Sequence, residues 1–484
     1  MNQGVLKFLH HNKMVELDFA RESFLPSTTV LNYLRSNPQY RGTKEGCAEG
    51  DCGACTVVIG ELDADHRLRY YVVDSCLMFL PALHGKQLIT VENLARKING
   101  ALELHPVQQA IVDNHGSQCG FCTPGYAMSM FAFYKNQTPP TPENTMDSFS
   151  GNLCRCTGYK PLADSIMQCC SQIIADQFDE DLDEVVEKLA LINNESPSLH
   201  IVANGQTYLL PVGAGLTLEL RNEFRDAVAV NGSTDIAISQ NKTFRNLPQI
   251  LDLSHVSEWK AITTTQEGYF IGSGVSIEQF KEFSKSHFPE MLPLLNVFAS
   301  QQIRNVATIG GNIANASPVG DLLPLLMALN ASVVLASVRG QRQVALENFI
   351  TGYRSTCLQA DELVASIYIP KLDSHNLFYC EKVSTRRDVD ISTVSLALNL
   401  QVDSHGCIAN PKVVFGGMAA SVKRAGAIER ALEGRLPTLE NAQLAGEVLE
   451  NEFEPISDAR GSSAFRMAVG RNLLLKAFIS FGCS

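Results

Sequence analysis

Apolar and polar residues alternate near the start of the chain. Residues 5–9 place Lys7 between two apolar side chains, and residues 15–19 alternate apolar with acidic residues. A period of two is typical of half-buried strands, and the short polar stretch between the runs is typical of a turn. The pattern therefore predicts a β-hairpin.

Helical periodicity follows at several places. Residues 27–36 predict a helix capped by Ser27 or Thr28. Prolines suited to a first helical turn, followed by apolar residues three and four apart, predict helices at Pro106 and Pro124. An amphipathic helix is predicted from Leu162 to about Ala175.

Acidic residues are concentrated in residues 176–187, and the stretch closes at Pro197. Such runs are typical of solvated segments. We interpret it as an exposed linker and assign it no chemistry.

Beyond Pro197 strands and helices alternate. Residues 228–237 predict a strand, a Gly-Ser-Thr turn and a helix start. Strands are predicted at residues 394–402 and 413–415, with helices from about Lys423. The second half of the chain is therefore expected to mix helices and strands.

Composition sets the outer limits. A chain of 484 residues predicts three or four domains. No apolar run approaches the roughly 18 residues of a membrane span. The net charge of −12 and the lack of clustered Lys and Arg argue against a nucleic-acid binder. Because the N-terminus lacks an apolar export signal, we expect reduced thiols and a cytoplasmic protein.

Eight of the fourteen cysteines fall into two sets of four. In the first set, four, two and then twenty residues separate the thiols, which is the plant-type ferredoxin spacing of a [2Fe–2S] cluster. The second set joins the motifs QCGFCTPG and GNLCRCTGY. The first set is Cys47, Cys52, Cys55 and Cys76, and the second is Cys119, Cys122, Cys154 and Cys156.

For the second set the residues alone leave a cluster, structural zinc, disulfides and chance spacing open. The Cys-x-Cys half departs from the usual zinc spacing, and disulfides suit an exported protein. Its paired cysteines lie near predicted helix starts, where the helix dipole stabilises thiolates. The other six cysteines are predicted to be packing residues: Cys169, Cys170, Cys357, Cys380, Cys407 and Cys483.

Two turns are candidates for a phosphate-bearing cofactor. The turn in residues 228–237 predicts an anion-binding nest of backbone amides. In residues 304–321, Gly310 and Gly311 allow close backbone approach, unpaired amides are expected, and Asp321 can accept from hydroxyls. No GxGxxG motif is present, so a Rossmann fold is not supported. The charged run 382–390 is either a solvated turn or a cofactor edge.

Taken together, GCAEGDCGAC, QCGFCTPG, GNLCRCTGY and TIGGNIANASPVGD resemble the iron–sulfur/flavin subunit of bacterial xanthine dehydrogenases, in the molybdenum hydroxylase family, over nearly the whole chain. The resemblance implies a multidomain α+β fold. Its parts would be a β-grasp 2Fe-2S ferredoxin-like domain (1–88), an all-α 2Fe-2S domain (89–175), the acidic linker (176–197), an α+β FAD-binding domain that is not Rossmann (198–372) and a C-terminal α+β flavoprotein domain (373–484).

Carried over residue by residue, the resemblance implies that the two cysteine sets hold two [2Fe–2S] clusters. Tyr353 and Asp388 or Asp390 would lie near the nicotinamide of NAD. The turn 231–233 reads Asn-Gly-Ser, where the family pattern is expected to read Gly-Asn or Gly-Gly. FAD would lie along Val228, Ala229, Val230, Asn231, Gly232, Ser233, Thr234, Asp235, Ile236, Phe298, Thr308, Ile309, Gly310, Gly311, Asn312, Asp321, Val364 and Lys382.

The resemblance also implies the electron-transfer subunit of an NAD-dependent xanthine dehydrogenase. A molybdopterin-binding large subunit would oxidise hypoxanthine or xanthine, and this chain would pass electrons through both clusters to FAD and on to NAD. No segment is left for a molybdopterin domain, so a heterotetramer of two small and two large chains is expected. The alternatives are the equivalent subunit of an aldehyde or carbon monoxide dehydrogenase, and a stand-alone iron–sulfur flavoprotein carrier.

Overall fold

The alternating pattern at the start of the chain becomes two strands of a mixed sheet. In the computed structural model, which describes residues 2–373 and 376–483, Val5–His10 pairs antiparallel with Lys13–Asp18. The predicted hairpin is confirmed. The sheet order is Lys13–Asp18, Val5–His10, Gln87–Ile89, Thr56–Leu62 and Leu68–Asp74.

The helix Val30–Ser36 packs on this sheet. Its cap is Thr29, whose hydroxyl accepts from the Asn32 amide at 3.3 Å. The prediction of Ser27 or Thr28 as the cap is wrong. Thr28 belongs to the preceding turn, where its amide donates to the carbonyl of Leu25.

The second cysteine set lies in loops between four helices. The predicted starts near Pro106 and Pro124 are confirmed, and the predicted helix at Leu162 ends at Ser171. The helix that follows Cys122 is buried on nearly every side and forms the centre of this core. The helices are Pro106–Asp113, Thr123–Lys135, Pro142–Phe149 and Lys160–Ser171, preceded by the hairpin Arg96–Ile98 and Ala101–Glu103.

The acidic segment is helical, so its interpretation as an exposed linker is wrong. It forms the helices Gln177–Glu180 and Leu182–Glu195. Val185, Leu189 and Ile192 are buried at helical spacing. Apolar residues four and three apart suffice for one buried face, even among many carboxylates.

The chain divides into two compact units. The first comprises Met1–Thr217, Asp226–Val256 and Ala299–Ala307, and the second comprises Leu218–Arg225, Ser257–Phe298 and Thr308–Ser484. The division into four domains therefore stays a prediction.

A second sheet of the first unit carries one of the candidate turns. The predicted strand, turn and helix of residues 228–237 are confirmed as Val228–Val230 and Ile236–Thr243. The short helix Gln301–Arg304 also belongs to this unit. The sheet order is Asn2–Gln3, Leu199–Ala203, Gln206–Leu210, Gln249–Asp252 and Val228–Val230.

The second unit contains two larger sheets and a short hairpin. The predicted strand 394–402 is confirmed, and 413–415 lies inside Ile408–Gly416. One sheet has the order Ile262–Thr264, Gly268–Gly272, Leu363–Pro370, Ser332–Ser337 and Gly340–Ala345. The other has the order Asn376–Val383, Val394–Val402, Ile408–Gly416 and Lys423–Arg424, and the hairpin joins Ile350–Gly352 to Ser355–Thr356.

Helices cover these sheets. No helix in the described ranges is long and apolar enough to span a membrane. The remaining α-helices are Ala214–Glu223, which straddles the boundary of the units, and Ile277–His287, Leu292–Leu295, Ile309–Asn315, Leu322–Ala328, Leu346–Phe349, Gly426–Leu432, Leu439–Glu447 and Ser463–Ser480. Short 3₁₀ turns are Pro38–Tyr40, Leu80–Leu83, Val91–Asn93, Ser257–Lys260, Pro289–Met291 and Val448–Asn451.

Candidate functional site

The first cysteine set lies in the loop before Thr56–Leu62 and in the turn after Leu68–Asp74. Its thiols form two pairs. The Cys47 and Cys52 thiols are hydrogen-bonded, and the sulfurs of Cys55 and Cys76 are 3.3 Å apart. The second pair is buried, whereas the first is half-buried.

Backbone amides point at Cys47. Those of Glu49 and Asp51 lie 3.5 and 3.3 Å from its sulfur. Together with the Cys52 thiol they lower the pKa of Cys47 to about 5. This favours the thiolate, which is the form that ligates a metal. At the other pair, the hydrogen bond with Cys76 and burial raise the pKa of Cys55.

The second cysteine set is also arranged in pairs. Cys119 is hydrogen-bonded to Cys156, and Cys122 to Cys154. The first of these pairs is exposed to solvent. The Phe121 amide lowers the pKa of Cys119, while burial raises the pKa of Cys122 to about 12.

The paired arrangement fits two-iron clusters. A [2Fe–2S] cluster takes four cysteines, two on each iron, whereas structural zinc gathers four ligands around one ion. Within residues 2–373 and 376–483, no three His, Cys, Asp or Glu side chains converge on a single-ion site. The eight cysteines as cluster ligands stay a prediction that this geometry favours over zinc.

Of the six other cysteines, Cys169, Cys170 and Cys380 are buried. The first two belong to the helical core, as predicted for packing residues. Cys357, Cys407 and Cys483 are half-buried.

The two cysteine loops are in direct contact. The Leu153 amide donates to the carbonyl of Cys52 at 3.0 Å, and the Asn152 side chain donates to the carbonyl of Gly53 at 3.2 Å. Gly53 has a φ of +66°, and a Cβ there would lie 2.3 Å from the carbonyl of Gly151. Only glycine allows both this conformation and this approach.

A distant segment of the first unit completes the contact. Gln302 is fully buried, and Arg304 makes two bonds of 2.7 and 2.9 Å to the carboxylate of Asp147. The sequence analysis missed both residues. The local sequence is mostly polar and gives no signal that these two side chains are buried, and their partners are about 150 residues away.

The predicted FAD residues 228–236 lie in the first unit. Among the described residues, the backbone amides of Gly232, Ser233 and Thr234 have no hydrogen-bond acceptor, and the Ser233 hydroxyl donates to the carbonyl of Leu77 at 2.5 Å. Gly232 has a φ of +78°, and a Cβ there would collide with the carbonyl of Val306. These free amides match the predicted anion nest.

The predicted unpaired amides at residues 308–312, in the second unit, are wrong. Thr308 caps the helix by accepting from the Gly311 amide at 3.1 Å. The amides of Ile309 and Gly310 donate to backbone carbonyls. The polar group without a hydrogen bond is instead the side-chain oxygen of Asn312, which is buried and has no partner in the described chain.

Asp321 and Lys382 form a buried ion pair of 2.8 Å. The Ser392 hydroxyl donates to the other oxygen of Asp321, and Lys382 also donates to the carbonyl of Asp390 at 3.0 Å. Lys382 is therefore no part of a solvated turn. Phe298 and Val364, the remaining predicted FAD residues, are buried.

The three residues predicted to lie near the nicotinamide differ in their surroundings. Tyr353 is 65% exposed. The carboxylate of Asp390 accepts hydrogen bonds from the backbone amides of Arg386 and Ile391, so it stabilises the loop in which it lies. Asp388 is half-buried.

Three protein-family models match the chain in succession. A [2Fe-2S] binding domain matches residues 90–167. The FAD binding domain in molybdopterin dehydrogenase matches residues 198–372, and the CO dehydrogenase flavoprotein C-terminal domain matches residues 379–481.

Curated proteins are similar over most of the chain. Xanthine dehydrogenase of Calliphora vicina is 30% identical over 94% of this chain and 38% of its own length. Xanthine dehydrogenase/oxidase of Gallus gallus is 31% identical over 98% and 39%, and aldehyde oxidase 3 of Mus musculus is 29% identical over 90% and 36%. The chain thus spans about two fifths of the length of these relatives.

Solved structures share part of the fold. Carbon monoxide dehydrogenase from Hydrogenophaga pseudoflava is similar with a TM-score of 0.54 and 24% identity, over 58% of this chain and 98% of that chain. Quinoline 2-oxidoreductase from Pseudomonas putida 86 gives a TM-score of 0.52 and 22% identity, over 56% and 94%.

Proposed function

The chain belongs to the molybdenum hydroxylase family, and we propose that it is the electron-transfer subunit of an NAD-dependent xanthine dehydrogenase. The observation that carries the proposal is the presence of two paired four-thiol sets in a chain that also matches a flavin domain. When bound, the clusters supply one-electron chemistry and the flavin links one-electron steps to hydride transfer.

The two thiol sets differ in solvent exposure, and this difference suggests which set receives electrons from the partner. Cys119 and Cys156 are exposed, and Phe121, Leu153 and Tyr159 lie on the same two loops with more than two fifths of their surface open. Exposed apolar side chains around a functional group are typical of a binding surface. We assign this surface to the molybdopterin-binding partner.

Flavin binding is proposed separately for each unit. In the first, the free amides of Gly232, Ser233 and Thr234 suit phosphate oxygens. In the second, Asn312 and Asp321 offer oxygens that suit sugar-like hydroxyls, and Lys382 contacts Asp321 directly at 2.8 Å.

Three other functions compete: the equivalent subunit of a carbon monoxide dehydrogenase, that of an aldehyde dehydrogenase, and a stand-alone carrier. The matched carbon monoxide dehydrogenase chain corresponds to only 58% of this chain, whereas the two xanthine dehydrogenases correspond to at least 94%. This favours xanthine dehydrogenase over a carbon monoxide dehydrogenase subunit. A stand-alone carrier differs in needing no partner.

The test measures composition and two activities. The purified chain should contain about four irons, two for each cluster, and one FAD, and its reduced form should show two electron paramagnetic resonance species. It should oxidise NADH with a dye acceptor and turn over xanthine only when a molybdopterin-containing partner is added. Zinc in place of iron, a single reduced species, or xanthine turnover without any partner would contradict the proposal. Aldehyde turnover in place of xanthine turnover by the restored assembly would favour an aldehyde oxidase subunit.

A further inference from the structure

The place where the two cysteine loops meet is closed by one side chain. The amide nitrogen of Gln302 donates to the side-chain oxygen of Asn152 at 3.0 Å and to the Thr56 hydroxyl at 3.3 Å. Thr56 directly follows Cys55, and Asn152 comes two residues before Cys154. Gln302 therefore connects the two loops next to a thiol of each set.

The same contact contains a direct backbone link. The Leu153 amide donates to the carbonyl of Cys52 at 3.0 Å, and Leu153 is covalently joined to Cys154. One hydrogen bond thus completes a bonded route from the sulfur of Cys52 to that of Cys154. Electrons tunnel more readily along covalent and hydrogen bonds than across gaps between atoms.

Gly151 is packed against the side chain of Gln302. A Cβ on Gly151 would lie 2.2 Å from the side-chain oxygen of Gln302. That oxygen is buried and without a hydrogen-bond partner among the described residues, so the amide is placed for the two contacts of its nitrogen. Arg304 anchors the same short helix, because one of its guanidinium nitrogens donates to both carboxylate oxygens of Asp147.

The side chain of Ser129 also holds Asn152 in place. Ser129 donates to the side-chain oxygen of Asn152 at 2.7 Å, while the Asn152 nitrogen donates to Gly53 and to Thr56. Asn152 thus has donors on its oxygen and acceptors for its nitrogen. Because both polar atoms of the buried Asn152 amide are hydrogen-bonded, the side chain is held in one orientation.

We propose that Gln302 is a positioning residue for electron transfer between the two cysteine sets. It holds the Cys52 carbonyl against the Leu153 amide, and that hydrogen bond is the route between the sets. The proposal rests on the proposed function, because it requires that both sets hold clusters.

The test compares Gln302→Leu with Gln301→Leu in the full chain with its cofactors. Gln301 is the half-buried neighbour in the same helix, so it is a matched control. Iron content, the magnetic interaction between the two reduced centres, and the rate at which they exchange an electron after rapid one-electron reduction are measured. We expect Gln302→Leu to keep its iron, to change the magnetic interaction, and to slow exchange several-fold. Gln301→Leu should match the wild type.

If Gln302→Leu loses iron, Gln302→Met is measured in its place, because it keeps the length of the side chain and lacks only the amide. Unchanged exchange with full iron, or equal slowing by Gln301→Leu, would overturn the proposal. So would iron loss from both Gln302 variants, since Gln302 would then serve assembly and not transfer. Failure of the proposed function is seen separately, as a wild type without two reduced species.

A glycine pair gives an independent check on the contact. Gly53→Ala would place a methyl group 2.3 Å from the Gly151 carbonyl, whereas Gly100 has a similar φ of +83° and open space around it. Both variants carry the same kind of backbone strain, because each places a side chain at a positive φ. Only Gly53→Ala should slow exchange, and equal behaviour of the two would count against the route.

Discussion

At the residue scale, Asn312 is the polar side chain of the second unit that most directly suggests a ligand. Its oxygen is buried without a hydrogen-bond donor among the described residues, and an unpaired buried polar atom costs free energy. A bound hydroxyl group would remove that cost. The candidate flavin contact in this helix is therefore the side chain of Asn312 and not the backbone amides.

We expect Asn312→Leu to lower the flavin content of the purified protein while iron stays unchanged. Asn315→Leu is the control, because Asn315 lies in the same helix and accepts from Arg354 at 2.8 Å. Flavin is measured by absorbance after release, relative to iron. Full flavin in Asn312→Leu, or equal loss in both variants, would exclude this contact.

His10 makes stability depend on pH. Burial, helped by the neighbouring His11, lowers the pKa of His10 to about 4. Because the unfolded chain binds this proton first, with a pKa near 6.5, stability is lost as pH falls below 6.5. From about pH 7.5 to about pH 5.5 the loss should be about 1 kcal/mol.

His10→Gln should therefore flatten the fall in unfolding free energy over this range. Guanidinium unfolding at both pH values measures it. His66→Gln, at an exposed histidine, should keep the wild-type slope. An unchanged slope in His10→Gln would show that this ring does not carry the effect.

At the element scale, the acidic helices are held by a buried charge cluster. Lys135 donates to Asp176 at 2.9 Å, and His105 donates to it through Nε2 at 2.9 Å, since its Nδ1 accepts from the Val107 amide. Although burial opposes it, the hydrogen bonds from His105 and Lys135 hold the pKa of Asp176 well below its usual range. The carboxylate therefore fastens the start of Gln177–Glu180 to the helices that carry the second cysteine set.

Asp176→Ala should destabilise the protein by about 3 kcal/mol, because Lys135 would remain buried without its partner. Glu187→Ala, an exposed acidic residue of the next helix, should change stability by less than about 0.5 kcal/mol. Denaturant unfolding compares the two. Equal effects would mean that the acidic segment acts only through its overall charge.

At the scale of the whole molecule, the two cysteine sets should differ in how easily iron is removed. Cys119 and Cys156 are exposed, whereas Cys55 and Cys76 are buried. The greater solvent access of the second set, since Cys47 and Cys52 of the first set are only half-buried, predicts two phases of iron loss under a mild oxidant with a chelator. The species held by the second set should disappear first in the resonance spectrum.

Cys119→Ser identifies that species beforehand, and Cys407→Ser, at a half-buried cysteine outside both sets, is the control. Loss of both species in a single phase would contradict the prediction. Earlier loss of the species that Cys119→Ser leaves intact would reverse the order expected from burial.

Local patterns in the sequence determined much of this protein. The hairpin, the helix starts near Pro106 and Pro124, and the strand at residues 394–402 follow from periodicity and from proline in a first turn. These features depend on neighbours within a few residues. The ferredoxin spacing of the first cysteine set could likewise be counted from the sequence alone.

The tertiary structure alone decided which groups meet. It joined Gln302 to Asn152 and paired Asp321 with Lys382. The backbone amides of residues 309–312, which the sequence suggested were free, donate hydrogen bonds within the protein. The tertiary structure also buried Asp176, at the start of the acidic helices, against His105 and Lys135. These outcomes depend on which surfaces become buried against segments far away in the chain, and no local pattern contains that information.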